Sequence, residues 1–317
     1  MVQTNTIYEG DALSVLQTLP SECVDMCVTS PPYWGLRNYG VEGQLGLEES
    51  FGEYLRRLCD IFDQVRRILK PTGTCWVNLG DTYSTVSGNQ GKGGLYGPEP
   101  KYASADSAMP LKWKTEFPEK CLCQIPSRFA IEMTARGWIL RNEIIWHKPN
   151  CMPSPVSDRF TVDFEKLYFF SKNKTYFFKT QYEPHESNPY DLKRMQGGRK
   201  VYRGKWSAAR VGPWDGTRVQ KAFVGGGKAG RIKRAVWSIN TRPCAQAHFA
   251  VYPPELIWTP VKAGCPVGGV ILDPFMGTGT TAEVAIRLSR KYIGIELNSE
   301  YILMAQKRIN DLEGYAA

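Results

Sequence analysis

The chain has 317 residues, of which 42% are hydrophobic and 22% charged, a composition typical of a soluble globular protein with one large or two ordinary domains. It contains no run of 18 apolar residues and no secretory signal, so we expect a cytoplasmic protein without membrane contact. Nine scattered cysteines without a CxxC pair, and only three histidines, predict reduced thiols and no metal site.

The positive charge is concentrated in one segment, residues 193–234. This segment holds thirteen Lys and Arg and a single acid, Asp215, so its net charge is +12. The whole chain has a net charge of +9, so the remainder carries –3. Local basicity of this kind is typical of a module that meets a polyanion. The wider stretch 184–236 is rich in glycine and arginine and predicts an insertion outside the main sheet.

The N-terminal part predicts a strand, a short helix and a second strand. Residues 6–9 form a weak strand, and the apolar residues that follow recur at helical spacing until Pro20. Asp11 precedes the helix and is well placed to cap it. The apolar run 24–28 then predicts a buried strand.

The turn after this strand, Thr-Ser-Pro-Pro-Tyr-Trp at 29–34, is the first candidate site. It follows the carboxyl end of a strand, which is where open α/β sheets bind their ligands. Its two prolines remove backbone donors, so carbonyl groups on the turn can face a ligand. Ser30 adds a hydroxyl and Tyr33 a flat ring, a combination that suits a planar group.

The centre of the chain predicts helix–strand units around a long loop. Ser50 opens a capping box and an amphipathic helix, residues 70–73 stop that helix, and residues 74–79 form a strand. Residues 84–120 show no period and predict a loop that acts as a lid or a DNA-contacting arm. The remaining central elements are a helix over 127–136, a strand over 138–146, and an antiparallel hairpin of 167–170 with 176–178.

The C-terminal part predicts a strand over 270–272, a glycine loop, a helix capped by a threonine, and a strand over 291–297 that carries Glu296. A helix with proline in its first turn precedes this unit and begins within 252–257. Asn298 is placed to cap the final helix.

This strand–loop–helix–strand unit is typical of the nucleoside-binding half of a doubly wound sheet. Gly277 and Gly279 let the backbone approach a ligand, and Glu296 can accept both ribose hydroxyls. NAD and S-adenosylmethionine are the competing ligands. Asp273 and Pro274 add an anion and remove a donor just before the glycines. They therefore favour a cationic sulfonium over a pyrophosphate.

Two motifs resemble those of DNA amino-methyltransferases. Residues 273–280, Asp-Pro-Phe-x-Gly-x-Gly-Thr, are similar to the S-adenosylmethionine motif of that family, and residues 29–33 are similar to its catalytic [DNS]-P-P-[YFW] motif. The order of catalytic motif, basic segment and cofactor motif resembles the β class. Gly10-Asp11 and residues 78–81, 145–150 and 248–253 also stand where the family has its minor motifs.

The resemblance implies an α/β fold with a Rossmann-like, doubly wound mixed sheet that includes an antiparallel hairpin. It also implies three parts: a catalytic half over 1–183, a target-recognition region over 184–236 and a cofactor-binding half over 237–317. Strands from the two chain ends would lie side by side in one sheet.

The resemblance also assigns roles to individual residues. The catalytic residues would be Ser30, Pro31, Pro32 and Tyr33. The cofactor would contact Asp11, Phe249, Pro253, Asp273, Phe275, Gly277, Gly279, Thr280 and Glu296, with Asp11 at the adenine amino group and Phe249 to Pro253 covering the methionine end. DNA would contact the basic segment through Arg194, Arg199, Arg203, Lys205, Arg210, Arg218 and Arg231.

The expected reaction transfers a methyl group from S-adenosylmethionine to an exocyclic amine of a flipped-out base in duplex DNA. Ser30 at the first motif position favours N4 of cytosine over N6 of adenine. The competing hypotheses are an RNA substrate, an NAD oxidoreductase and a silent DNA-binding module. A cognate restriction endonuclease that acts separately is an expected companion, and the sequence leaves monomer and homodimer open.

Overall fold

The computed structural model describes residues 2–35, 40–84, 117–154, 156–183, 231–242 and 252–314. The chain divides into two compact units. Unit 1 comprises Met1–Lys179 and Ala235–Ala317, and unit 2 comprises Thr180–Arg234. Within the described ranges, no helix combines the length and hydropathy that a membrane span requires.

The main unit is built on an eight-stranded sheet. Its strands are β1 (Thr6–Glu9), β2 (Val24–Thr29), β3 (Leu69–Leu79), β4 (Ile139–His147), β5 (Phe164–Ser171), β8 (Val236–Ser238), β9 (Val270–Asp273) and β10 (Lys291–Glu296); β6 (Tyr182–Glu183) pairs with β7 (Arg231–Ile232) in unit 2. The strand order is β1-β10-β9-β2-β3-β5-β4-β8. Within this eight-stranded sheet, only β5 runs antiparallel to its neighbours.

Strands from the two ends of the chain meet at the centre of the sheet, as predicted. Met26 and Cys27 of β2 pair with Ile271 and Leu272 of β9. From this point the chain proceeds through β3 in one direction and through β10 in the other. The carboxyl ends of β2 and β9 therefore lie side by side at the point where the strand order reverses, which is where such sheets bind ligands.

Helices cover both faces of the sheet. The described helices are α1 (Ala12–Thr18), α2 (Phe51–Ile68), α3 (Ile125–Ala135), α4 (Pro254–Gly264), α5 (Thr280–Arg287) and α6 (Ser299–Gly314). One buried cluster joins the sheet to α1, α2 and α3, and a second joins its other face to α4, α5 and α6. Alternate residues of one strand enter different clusters, so Cys27 faces α2 while Met26 and Val28 face the opposite layer. The predicted doubly wound α/β fold is confirmed.

Local sequence explains why the elements begin where they do. The Ser50 hydroxyl accepts a hydrogen bond from the Glu53 amide at the start of α2, as the capping box predicts. Tyr54, Leu58 and Phe62 then recur at helical spacing and are fully buried. Burying each such side chain contributes roughly 1.5–3 kcal/mol, more than the propensity of any one residue, so this face fixes the helix against the sheet.

The boundary between α2 and β3 differs from the prediction. The helix ends at Ile68 and the strand begins at Leu69, so residues 70–73 are extended instead of forming a stop before the strand. The Thr72 carbonyl accepts a hydrogen bond from the Phe177 amide, and the Gly73 carbonyl accepts one from the Lys172 amide. These non-local hydrogen bonds satisfy the backbone of a stretch whose composition favours a turn.

The predicted hairpin is wrong in its second arm. Residues 176–178 form no strand, and β5 instead pairs with β4 and β3. Tyr176 and Phe178 pack on Phe169, with ring centroids 5.7 and 5.6 Å apart. Their apolar rings cover the face of the sheet instead of extending its edge. The antiparallel part of the main sheet is therefore β5, which pairs with both β3 and β4.

Candidate active site

A cavity of about 260 Å³ opens at the carboxyl edge of the main sheet. It is lined by the residues that follow β1, β2, β9 and β10, and by side chains from β3, the end of β4 and β5. The two candidate motifs of the sequence therefore meet in one site. We name its two parts the cofactor side, built from the ends of β1, β9 and β10, and the amine side, built from residues 30–33 and their neighbours on β3, β4 and β5.

The glycine loop of the cofactor side is held by an acid on the next strand. Glu296, at the end of β10, accepts hydrogen bonds from the Gly277 amide at 2.7 Å and from the Asn298 amide at 2.9 Å. Gly277 has φ +53°, in the left-handed region that favours glycine. Burial raises the pKa of Glu296, and the backbone amides oppose that shift. Glu296 also lines the cavity, and its carboxylate has further acceptor positions for the donors of a ligand.

The second glycine of the loop serves packing. Gly279 has φ +84°, and a Cβ there would lie 2.8 Å from the Ala305 Cβ on α6. Gly279 itself precedes α5 as its N-cap and is not among the cavity residues, so the predicted threonine cap is wrong. Thr280 does line the cavity, and its hydroxyl accepts a hydrogen bond from Arg308.

Asp273, a predicted cofactor residue, is not among the residues that line the cavity. It is fully buried, and its carboxylate accepts hydrogen bonds from Thr29 at 2.6 Å, from Tyr252 at 3.2 Å and from the Phe275 amide at 3.0 Å, as well as from Thr281. Burial raises the pKa of Asp273, whereas these donors lower it. The buried carboxylate therefore joins β9 to β2, to α5 and to Tyr252, which lies two residues before α4.

Asp11 follows β1 on the cofactor side. Its Oδ1 caps α1 by accepting hydrogen bonds from the Ser14 amide and hydroxyl, both at 2.9 Å, which confirms the predicted cap. Asp11 also lines the cavity. Gly10 before it donates from its amide to the Glu296 carbonyl at 2.9 Å, so the ends of β1 and β10 are tied together.

The turn at 30–33 is held from outside the cavity. The Pro32 carbonyl accepts a hydrogen bond from the Tyr54 hydroxyl at 2.9 Å, and Trp34 donates to the Glu48 carbonyl at 3.0 Å. No described residue donates to the Pro31 carbonyl, so this acceptor remains available to a ligand. Ser30, Pro31, Pro32 and Tyr33 all line the cavity.

Side chains from three strands complete the amine side. The Ser30 hydroxyl lies 3.3 Å from the Tyr33 hydroxyl, which lies 2.8 Å from Glu165 Oε2 on β5. Asn78 on β3 donates to the same oxygen at 3.0 Å, and Lys148 forms an ion pair with Glu165 Oε1. No motif in the sequence assigned a role to Glu165. Its position next to a strand end, like those of Asn78 and Lys148, is the signal that could have identified it.

Three predicted cofactor residues remain to be placed. Phe275 lines the cavity. Pro253 is buried as the N-cap of α4 and is not among the cavity residues, whereas its neighbour Tyr252 is. Phe249 lies outside the described residues, as does most of the predicted loop 84–120.

Most of the predicted DNA contacts also lie outside the described residues: Arg194, Arg199, Arg203, Lys205, Arg210 and Arg218. Arg231 is described and lies on β7 of unit 2. Its guanidinium forms an ion pair of 2.7 Å with Glu183 on β6, and Arg234 pairs with the same carboxylate. Arg231 and Arg234 lower the pKa of Glu183, although desolvation opposes them.

Comparison with known proteins agrees with this architecture. A family profile described as DNA methylase, of the N6 and N4 type, matches residues 24–307. The chain is 40% identical to the type II methyltransferase M.XycI of Xanthomonas campestris pv. cyanopsidis over 98% of this chain and 89% of that protein. The chain belongs to the N6/N4 DNA methylase family.

Solved structures of low sequence identity share the fold. The PvuII DNA methyltransferase, described as cytosine-N4-specific, superposes with a TM-score of 0.61 at 19% identity, covering 98% of this chain and 92% of that one. A Thermus thermophilus protein, described as a putative DNA modification methylase and solved in complex with S-adenosyl-L-methionine, has a TM-score of 0.55 at 23% identity, covering 96% and 93%.

The cofactor side suits S-adenosylmethionine, the cofactor of this DNA methylase family. Glu296 offers a carboxylate to ribose hydroxyls beside a loop whose Gly277 permits close approach. The Thr278 hydroxyl lines the same cavity and is buried without a hydrogen-bond partner in the described structure. A buried hydroxyl of this kind normally finds a partner, and a polar ligand would supply one.

Proposed function

We propose that this DNA methylase transfers a methyl group from S-adenosylmethionine to the N4 amine of cytosine in duplex DNA. The proposal depends on the position of Ser30. This residue lines the cavity, and its hydroxyl donates a hydrogen bond to the Tyr33 hydroxyl. With its proton directed there, Ser30 Oγ presents acceptor lone pairs to an amine. Serine at this motif position is what favours cytosine, and the fold shared with the cytosine-N4-specific PvuII enzyme is consistent with it.

We assign the nucleoside of the cofactor to the cofactor side. Asp11 would accept from the adenine amino group, Glu296 would accept from the ribose hydroxyls, and Phe275, Gly277 and Thr280 would line the remainder. When bound, S-adenosylmethionine supplies the methyl group on a sulfonium centre. We assign Asp273 a structural role. Its buried carboxylate holds the start of the glycine loop in place and does not contact the sulfonium.

The residues of the amine side act by positioning. The exocyclic amine is a poor nucleophile because its lone pair is delocalised into the ring. Ser30 Oγ and the Pro31 carbonyl would each accept one amine hydrogen and favour a more tetrahedral nitrogen. The ring of Tyr33 would stack on the base, and Pro32 would keep the turn rigid through its contact with Tyr54. The base must leave the DNA stack to reach this cavity.

Other parts of the proposal concern the DNA and its context. Residues 184–236 would form the target-recognition region, whose arginines and lysines neutralise phosphates and whose individual arginines read base edges. The name of M.XycI as a type II methyltransferase fits a cytoplasmic modification enzyme with a separately acting restriction endonuclease.

Nucleoside analysis tests the proposal. Purified protein is incubated with unmethylated duplex DNA and S-adenosylmethionine, and the DNA is digested and examined by mass spectrometry. N4-methylcytosine is the expected product. N6-methyladenine would be consistent with the same methyl-transfer chemistry, but it would show that Ser30 does not select cytosine. Absence of both bases, with cofactor binding shown separately, would redirect the search to RNA or to a silent DNA-binding module.

A further inference from the structure

We infer that Glu165 accepts the proton that the target amine loses, through a chain of hydroxyl groups formed by Tyr33 and Ser30. The inference rests on the proposed position of the amine at Ser30. It adds a proton acceptor to a site whose other residues only bind and orient the target base. Its support comes from the direction of the hydrogen bonds, from the environment of Glu165 and from the fixed position of the Tyr33 ring.

The hydrogen bonds run in one direction, from Ser30 to Glu165. Ser30 donates to the Tyr33 hydroxyl at 3.3 Å. The Tyr33 hydroxyl has one proton and two acceptors within reach, Glu165 Oε2 at 2.8 Å and Asn78 Oδ1 at 3.2 Å. The contact with Glu165 is the shorter of the two and therefore the stronger hydrogen bond, so the proton lies toward Glu165. A proton that enters at Ser30 Oγ can therefore leave as a proton delivered to Glu165.

The carboxyl group of Glu165 is oriented by the side chains around it. Lys148 forms an ion pair with Oε1, and its ammonium also lies 4.5 Å from the centre of the Trp146 ring, which keeps it in place. Asn78 donates to Oε2 at 3.0 Å. Lys148 and Tyr33 are the titratable groups in contact with this carboxylate. The neighbouring Lys166 is directed to Glu143 and Ser127.

The Tyr33 ring is fixed by packing as well as by its hydroxyl. A Cβ on Gly80 would lie 2.6 Å from Tyr33 Cε2, so the ring rests directly on the backbone after β3. The hydroxyl is therefore confined to the space between Ser30 and Glu165. Because its ring is held in one position, the Tyr33 hydroxyl can transfer a proton without first changing rotamer.

The proton balance of the reaction requires such an acceptor. As the nitrogen gains a methyl group, the carbon–sulfur electron pair stays with sulfur and the nitrogen becomes cationic. One amine proton moves to Ser30 Oγ, the Ser30 proton moves to the Tyr33 oxygen, and the Tyr33 proton moves to Glu165. Glu165 then carries the proton that solvent removes after the product leaves. The same transfer applies to cytosine N4 and to adenine N6.

Single-turnover kinetics of Glu165→Gln and Tyr33→Phe test the relay. Each variant should slow methyl transfer about 100-fold, within the range of general-base effects. The double variant should be no slower than either single variant, because both break the same chain. The wild-type single-turnover rate should be lower in D2O than in H2O, because the relay transfers protons between hydroxyl groups, and Glu165→Gln should lose this solvent isotope effect. Glu143→Gln, which removes the carboxylate paired with Lys166 on the neighbouring strand, is the matched control and should keep the wild-type rate.

Binding measurements separate the relay from a structural role. Dissociation constants for S-adenosylmethionine and for duplex DNA should stay within about twofold of wild type in both variants. A slow Glu165→Gln enzyme that keeps the wild-type solvent isotope effect, or additive effects of the two changes, would overturn the relay. So would a Glu165→Gln enzyme at the wild-type rate while Ser30→Ala is inactive, an outcome that leaves the proposed function intact. Full activity of Ser30→Ala would instead overturn the role of Ser30.

Discussion

The cofactor side and the amine side of the cavity are built in different ways. The cofactor side is formed chiefly by a continuous strand–loop–helix–strand unit, in which Glu296 accepts from the backbone amide of Gly277. The amine side is formed by side chains that contact one another across three strands, with Glu165 lying 132 residues beyond Tyr33 in the chain. The comparison indicates that the cofactor side is set by local backbone geometry and the amine side by tertiary packing.

The largest expected effect is the loss of Ser30, which removes an acceptor from the amine side while leaving the cofactor side untouched. We expect Ser30→Ala to slow methyl transfer at least about 100-fold, the magnitude typical of one lost transition-state hydrogen bond. Affinity for DNA and for the cofactor should change little, as measured by filter binding and calorimetry. Ser21→Ala, at the opposite end of β2, is the control. An equally slow Ser21→Ala enzyme would show that the loss at Ser30 is not local.

A substitution at Gly80 tests whether packing fixes the amine side. Gly80 does not have a left-handed φ, so alanine there adds only a steric contact with the Tyr33 ring. We expect Gly80→Ala to lower kcat about 10- to 100-fold by displacing that ring, as measured in steady-state assays. Gly52→Ala is the matched control, because nothing lies within 4 Å of the added Cβ on α2. Unchanged kcat in Gly80→Ala would show that the position of the ring is not critical.

A substitution at Thr29 tests the buried hydrogen bond that joins the end of β2 to Asp273 at the end of β9. Thr29→Val removes a 2.6 Å hydrogen bond to the Asp273 carboxylate without changing side-chain shape. We expect it to lower the free energy of unfolding by about 2 kcal/mol, since bonds to charged groups contribute roughly 1.5–3 kcal/mol. Denaturant titration measures this loss. Thr18→Val, at an exposed helix end, should change the unfolding free energy by less than about 0.5 kcal/mol, and an equal loss in both variants would contradict the role of Asp273.

The smallest effect concerns the pH dependence of cofactor binding. The pKa of Glu296 is raised by burial, and its ionised form is the one that accepts from ribose hydroxyls. Lowering the pH should therefore weaken S-adenosylmethionine binding several-fold, and the weakening should begin above the ordinary glutamate pKa of 4.5. Calorimetry over a pH series measures it. Glu296→Gln should bind more weakly at neutral pH and show no such dependence, and a pH-dependent Glu296→Gln would assign the titration to another group.

The same contrast explains what the sequence can predict. Periodicity, the capping residue Ser50 and the glycine loop are local signals, and they predicted α2, β9, β10 and the doubly wound fold. The partners of Tyr33 depend on the antiparallel insertion of β5 between β3 and β4, which no local pattern records. Asp273 also shows what a motif leaves out, because its motif suggests a ligand contact and does not record the buried hydroxyl donors that surround its carboxylate.

A crystal structure of the protein with duplex DNA that it methylates and the unreactive cofactor analogue sinefungin would test the two sides of the cavity together. We expect a flipped cytosine in the cavity, with N4 within hydrogen-bond distance of Ser30 Oγ and the Pro31 carbonyl, and with the ribose of the analogue at Glu296. A base bound away from Ser30, or an analogue bound away from the glycine loop, would contradict this expectation.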